Sequence, residues 1–527
     1  MAFTMKMCFS LVFLICLLNT GAGFGAEQFD YVIANGTIHD GTGKVIERGY
    51  VAVRDGKIHS AGPGEGPACE YRIDATGLVI CPGFIDLHTH SDRGIVDPKS
   101  RGAVNYLLQG CTTSVTGNCG MGPIDVQKFY DNVDKAGAGT NVAHLLPQGE
   151  LRSHVIGKVN RKATPAELQK MQRLTSQAMK EGAWGMSTGL IYTPSTYADT
   201  EELTALAKVI GDAGGIYASH IRGEEEGLVG SIQEAIRIGE DASIPVHISH
   251  LKVKGTPNWG TLRLAITLIR EARDKGQRVT ADQYPYIAAS TSLAATIFPP
   301  WSMSGGVDQL VKRLDEPEVG AKIRAAVEKS LDIKEDGKQI VIAQYSPRPE
   351  WVGKNLREIA KAEQKTALQI AEEIMRSGGA QIVNFAMNEE EVRNAMTNPW
   401  VATASDGGVM IPDATRPHPR NYGAFPRKIG HYAIREQVIP LEQAIRSATG
   451  LPADILGLTD RGYLKPGQAA DIVVFDPQTI IDTATFENPH QYADGMRYVF
   501  VNGVAAVYEG TPTGALAGRA LRKKSAP

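Results

Sequence analysis

Six residues stand out for what their types and positions could do together: His88 and His90 in PGFIDLHTH, Cys119 in TGNCG, His220 in ASHIR, His250 in ISHLK and Asp406 in VATASDGG. On an extended strand the i, i+2 spacing puts His88 and His90 on one face with Asp86, and two imidazoles so placed can hold one cation. Asp86 would then orient a ring from behind. A lone His-x-His pair is weak evidence, because two solvated or packed histidines at a strand end look the same. Cys119, His220 and His250 strengthen the case, because each closes another strand-like run. Five soft or borderline ligands gathered at strand ends make a metal site, and a thiolate with imidazoles selects Zn²⁺ over magnesium or calcium, which prefer oxygen. Such a metal would keep Cys119 deprotonated and out of disulfides. Ser-Asp-Gly is by itself a turn sequence. Beside a zinc, however, Asp406 would take the proton from bound water and pass it to a leaving nitrogen.

A (β/α)₈ barrel would bring these strand ends together. The runs CPGFIDLHTH, CTTSVTGNCG, NVAHLLPQG, GAWGMSTGL, GIYASHIR, IPVHISHLK, VTADQYPY and VATASDGG number eight, with helical segments such as SIQEAIRIGE and LRLAITLIREARDKGQ between them. His220, His250 and Asp282 recur at close to the roughly 30 residues of one βα unit, and the C-terminal ends of barrel strands converge on a single rim. One helix start is explicit: Thr164-Pro165-Ala166-Glu167 offers an N-cap, a proline at the first position and a glutamate at the third. His247 points to the opposite face of its strand from His250 and reads as structural.

The ends of the chain have another texture. Short alternating runs punctuated by Asn-Gly and Asp-Gly occur before residue 80 and again in LKPGQAADIVVFDPQ and MRYVFVNGVAAVYEG. The expected organisation is therefore α/β: a catalytic barrel over 81–458, and a discontinuous small β-sandwich domain built from 27–80 plus 459–527. An insertion around 293–377 breaks the βα spacing and reads as either a cap over the substrate or an elaborated loop, with the cap favoured.

With 527 residues, 43% hydrophobic, the chain can bury a large core. Its 55 basic and 58 acidic residues leave a formal charge of -3, too small to gather nucleic acid or an anionic membrane, so a small molecule is the expected partner. Residues 1–26 carry Lys6, an apolar run from Met7 to Leu18 and then small residues, which reads as a secretory signal peptide. The run is shorter than the ~20 residues a membrane span requires. Export to a periplasm or the exterior is expected, with no stable span after cleavage. Cys69, Cys81, Cys111 and Cys119 would remain, too few for a disulfide scaffold.

PGFIDLHTHSD, TGNCG, STGLIYTPSTYA, SHIRGE, ISHLK, DQYPY, SDGG and HPRNYGAF together resemble the N-acyl-D-amino-acid deacylase (D-aminoacylase) family of the amidohydrolase superfamily, from about Tyr31 to Val507. The resemblance implies that Cys119, His220 and His250 form a tight zinc site. His88 and His90, with Cys119 as a bridge, form a second and weaker one. It implies Asp406 as general base and acid, and substrate contacts at Lys252, Tyr284, Arg420, Tyr192, Arg222 and Ser290. The implied reaction is hydrolysis of the amide of an N-acyl-D-amino acid, releasing a carboxylate and a free D-amino acid. The third strand departs from the family, reading HLLPQGELR where a Gly-His pair is more usual.

Other readings keep the barrel. A dipeptidase releasing a C-terminal D-residue and an amidase of cyclic amides share the metal chemistry, although a cysteine in the bridging role argues against the cyclic option. An inactive barrel serving assembly would have lost ligands, and all six positions are filled. Strand alternation further predicts that Arg222 and Lys252, two residues beyond His220 and His250, face the metal mouth and grip an α-carboxylate, with Arg420 adding a bidentate hold. The sequence leaves acyl and side-chain preference, metal count and oligomeric state open.

Overall fold

A computed structural model describes residues 29–524. The segment expected to be a signal peptide lies outside the described residues.

Eight parallel strands form the barrel: Phe84–Asp86, Cys111–Thr116, Asn141–His144, Gly185–Gly189, Ile216–His220, Val246–Ile248, Val279–Gln283 and Val401–Thr403. Each of the eight strand-like runs of the sequence supplies one. The first three pair with each other, and the remaining five pair in chain order. A parallel bridge between Thr89 and Gly407 joins the last strand to the first, and Leu146 pairs with Met186 on the other side. The strands are buried on nearly every residue, polar ones such as Thr113, Ser114, Asn141 and Ser187 included, because helices cover their outer face. Helix Pro165–Lys180 starts on the expected capping box, with the Thr164 side chain accepting from the Glu167 amide and Glu167 reaching back. It buries Met171, Thr175, Ala178 and Met179, a stripe of helical period.

Strands from both chain ends form one nine-stranded sheet. Val79–Pro82 pairs antiparallel with Ile472–Phe475, which joins the two halves. Alternation decides which side each residue serves. Ile472, Val474 and Phe500 pack within the sheet domain, while Val473, Phe475, Val499 and Val501 join the core of the barrel. The expected discontinuous β domain is therefore bound to the barrel by its own strand faces.

The stretch that breaks the βα spacing is a small layer with its own apolar core. Ala289–Ser292, Gln381–Asn384 and Ile340–Gln344 make an antiparallel sheet, and helices including Val307–Asp315, Pro317–Ile333 and Ala367–Arg376 pack on Leu310, Ile323, Ile342, Ile370 and Ile382. At the opposite end of the barrel, the Trp184 indole donates to the Leu521 carbonyl at 2.6 Å, so the C-terminal segment covers the barrel floor.

Candidate metal centre and active site

The five ligand-type residues and Asp406 converge at the C-terminal rim. His88 and His90 follow the first strand, Cys119 lies in the turn after the second, His220 ends the fifth, His250 follows the sixth and Asp406 follows the eighth. The Cys119 thiol sulfur lies 3.2 Å from His88 Nε2, 3.6 Å from His220 Nδ1 and 3.8 Å from His250 Nε2. Cys119 with His220 and His250 forms one compact donor group, and Cys119 with His88 and His90 forms a second. The sulfur belongs to both.

Three of these residues have left-handed backbone: Cys119 at φ 52°, His250 at φ 38° and Asp406 at φ 50°. Non-glycine residues rarely adopt it, and it costs energy that surrounding contacts must hold in place. The Cys119 turn is supported by close backbone approach. A Cβ on Gly189 would stand 2.1 Å from the Cys119 carbonyl oxygen, so only glycine fits there.

The residues fit a metal. The sulfur-to-nitrogen distances in the Cys119 group match the roughly 3.3–3.8 Å edges of a tetrahedral zinc site, whereas His220 Nδ1 and His250 Nε2 stand 2.7 Å apart, in hydrogen-bond contact, and would have to separate to serve one metal. Burial alone would push the Cys119 thiol up, but the charge of His88 and hydrogen bonds from His220, His250 and His88 outweigh it and hold the thiol well below its usual range. Burial, with the charge of His250, lowers His220 to about 4, so its ring is neutral. A thiolate and neutral imidazole are the ligand forms zinc binds; against burial, their anionic neighbours raise His88, His90 and His250, so a metal would displace protons from those three rings.

Asp406 is also poised. Its Oδ1 is 3.1 Å from His90 Nε2 and 3.4 Å from His88 Nε2, and its Oδ2 is 2.8 Å from an Arg420 nitrogen. Burial raises its carboxyl, but Arg420, His88 and His90 pull it well below the ordinary carboxylate range, leaving it ionised at neutral pH. Arg420 lies over the Tyr284 ring at 4.6 Å, and Lys252 stands 5.7 Å from the same ring. The Tyr192 ring lies edge-on to His220, and its hydroxyl is 2.9 Å from Thr291 Oγ1. A cavity of about 260 Å³ opens from Cys119 between Met121, Ile191, Tyr192, Phe298 and Met303, joining the rim to the inserted layer. The atypical third-strand loop contributes Gly149 and Glu150 to its wall.

Several expectations need correction. Arg222 does not turn to the metal: its guanidinium bonds Glu234 and the carbonyls of Thr196 and Ala198. The strand ends at His220, so alternation no longer governs residue 222. The Ser290 hydroxyl donates to the Ile382 carbonyl within the inserted sheet, and only its backbone carbonyl reaches toward Arg420, at 3.4 Å. Asp86 orients backbone, not a ring: it accepts from the amides of His88 and Ser405. Burial pushes it up to about 7.

Asp282 takes the place expected of Asp86. It stands 3.4 Å from His88 Nδ1, 2.8 Å from His247 Nε2 and accepts the His250 amide at 2.7 Å. His247 therefore has a structural role within this chain of contacts. Glu224 was not foreseen either. It is 4% exposed, and its carboxylate meets Lys252 at 2.5 Å, Lys254 at 3.1 Å and His250 Nδ1 at 3.1 Å. The signal available for Asp282 was its strand position; for Glu224, four residues past His220 in a run of three glutamates, it was only its place at the end of the SHIRGE motif.

A parallel barrel gathering a thiol, four imidazoles and an ionised carboxylate at its C-terminal rim has the build of a metal-dependent hydrolase. The amidohydrolase family model matches residues 72–507. The D-aminoacylase of Alcaligenes xylosoxydans xylosoxydans is 36% identical over 524 residues, covering 95% of this chain and 99% of that protein. A solved D-aminoacylase, described for the functional role of its binuclear metal centre, is 34% identical with a TM-score of 0.80, covering 94% of this chain and 100% of its own. The N-acyl-D-glutamate deacylase of Bordetella bronchiseptica, solved with zinc and a phosphonate mimic of the tetrahedral intermediate, gives 31% and 0.80 over 94% of this chain and 100% of its own. The chain belongs to the amidohydrolase family and, within it, to the N-acyl-D-amino-acid deacylases.

Proposed function

We propose that this protein hydrolyses the amide bond of N-acyl-D-amino acids, releasing a carboxylate and a free D-amino acid. The reading rests on one observation above all: the Cys119, His220 and His250 donor group lies within the same few ångströms as an ionised Asp406 paired with Arg420. Zinc is the proposed metal, held tightly by Cys119, His220 and His250, with His88, His90 and the shared Cys119 offering a second, weaker site. When bound, zinc supplies Lewis acidity and makes water nucleophilic at neutral pH.

The chain's own groups do the rest. Asp406, ionised and buried, accepts a proton from the attacking water as the new C–O bond forms. It returns that proton to the nitrogen as the C–N bond breaks, so acid and base roles fall to one carboxyl. His90, at 3.1 Å, and Arg420, at 2.8 Å, fix its two oxygens. Arg420 keeps further donors for the substrate α-carboxylate, and a planar guanidinium can grip it bidentately. Tyr284 completes that corner, with Lys252 behind it held by Glu224 and His250, and the cavity beside Met121, Ile191 and Phe298 receives an apolar group. Carboxylate, scissile carbonyl and side chain are fixed at three points, and three points distinguish D from L. Export through the N-terminal segment belongs to the same reading, and detection of the protein in a periplasmic or secreted fraction tests it.

The test is kcat/KM for an N-acyl-D-amino acid beside its L enantiomer and its carboxamide. The D acid should be strongly preferred over both, by roughly ten- to a hundred-fold over the carboxamide for one lost charged hydrogen bond. Equal values for acid and carboxamide would remove the carboxylate clamp.

A further inference from the structure

Each histidine of the proposed tight site turns one ring nitrogen toward the Cys119 sulfur: Nδ1 of His220 at 3.6 Å and Nε2 of His250 at 3.8 Å. The other nitrogen of each ring faces the same carboxylate. His250 Nδ1 lies 3.1 Å from Glu224 Oε1, and His220 Nε2 lies 3.7 Å from Glu224 Oε2. The His220 atom is buried and has no hydrogen-bond partner, so this oxygen is the acceptor nearest at hand. Glu224 is held in turn by Lys252 on Oε1 and Lys254 on Oε2, and the Lys254 amide donates to the Glu224 carbonyl at 2.7 Å. The loops after the fifth and sixth strands are thus tied at one residue.

We propose that Glu224 is a positioning residue that sets the tautomer and rotation of both tight-site histidines at once; the inference rests on the metal site proposed above. A metal-binding imidazole presents a lone pair on one nitrogen only when the other carries the hydrogen, and an acceptor behind the ring fixes that choice. The requirement is sharpest at His250. The Lys252 ammonium lies 2.8 Å from His250 Nδ1 and can only donate. Left alone with the ring, it would bond a bare Nδ1 and place the hydrogen on Nε2, the nitrogen that must face the metal. Glu224 Oε1 lies within reach of both, 2.5 Å from the ammonium and 3.1 Å from Nδ1, and by accepting from both it permits Nδ1–H and frees Nε2. One carboxylate thereby decides the ligand form of two rings while neutralising a lysine of the substrate corner.

The experiment measures the zinc dissociation constant of the full-length protein by chelator competition, for wild type, Glu224→Gln and Glu224→Asp. Glutamine offers one acceptor oxygen in place of two. Aspartate keeps the charge but is one methylene, about 1.5 Å, too short to serve both rings. Both variants should bind zinc roughly 10- to 100-fold more weakly, and their kcat should recover toward wild type as free zinc is raised. If charge neutralisation of the lysines were the whole role, Glu224→Asp would bind zinc as wild type does, and that result overturns the proposal. Should Glu224→Gln not fold, Glu224→Asp decides alone. Wild-type protein that binds no zinc overturns the metal site itself; tight zinc binding unchanged in both variants overturns only the role of Glu224.

Discussion

Asp406 shows how far a single residue depends on what surrounds it. Ser-Asp-Gly could have been only a turn; here the aspartate is buried, left-handed in backbone and paired with Arg420, His88 and His90. Asp406→Asn should keep the zinc and the fold while lowering kcat by about 10²-fold or more, the scale for a lost acid-base group. Zinc content and a steady-state assay of the variant check this, and turnover within a few-fold of wild type would move the proton transfer elsewhere. The ligand-type residues were legible because histidine and cysteine at strand ends are conspicuous. Glu224 and Asp282 were not, since acidic residues are ordinarily solvated and only the folded chain brings them behind imidazoles. Arg222 misled for a related reason: period-two reasoning holds only while the strand continues, and this strand stops at His220.

Among the elements, the strands were the most readable. Parallel strands buried on both faces appear in sequence as short runs of β-branched, small and apolar residues at a steady spacing, and all eight could be counted. The turns that follow them were less so: histidine and aspartate adopt left-handed backbone more readily than most residues, but nothing in the sequence marks His250, Asp406 or Cys119 out from the other residues of those types. The inserted layer was visible as a break in spacing, but its antiparallel sheet depends on pairing Ala289–Ser292 with Gln381–Asn384, segments far apart in the chain. Gly189 tests how tightly an element end controls the site. In Gly189→Ala the added methyl would meet the Cys119 carbonyl at 2.1 Å and push the Cys119 turn away from the rim. The expected outcome is protein with an intact far-ultraviolet spectrum and reduced zinc content; full zinc loading would show that the turn tolerates the shift.

At the scale of the molecule, both ends of the described chain enter the shared sheet, and the C-terminal segment goes on across the barrel floor. Lys428 is a costly feature of the interior: it is buried in the π-helical segment Arg427–Arg435 without a hydrogen-bond partner, and burial pushes it down to about 7. Its ordinary value, near 10.5, applies to the unfolded chain. Between these values the unfolded state holds more protons, so stability should rise with pH across roughly pH 7 to 10.5. At and below pH 7 the full penalty applies, on the order of a few kcal/mol. Lys428→Met should therefore raise Tm most near pH 6 and converge on wild type toward pH 10; a variant less stable than wild type at pH 6 would reveal a partner for the ammonium. The proposed chemistry turns on the metal. Its most direct test is to strip the protein with chelator and follow hydrolysis of an N-acyl-D-amino acid as zinc is returned by titration. Activity should be absent in the stripped protein and climb as the first equivalent of zinc is bound, whereas full activity in metal-free protein would contradict it.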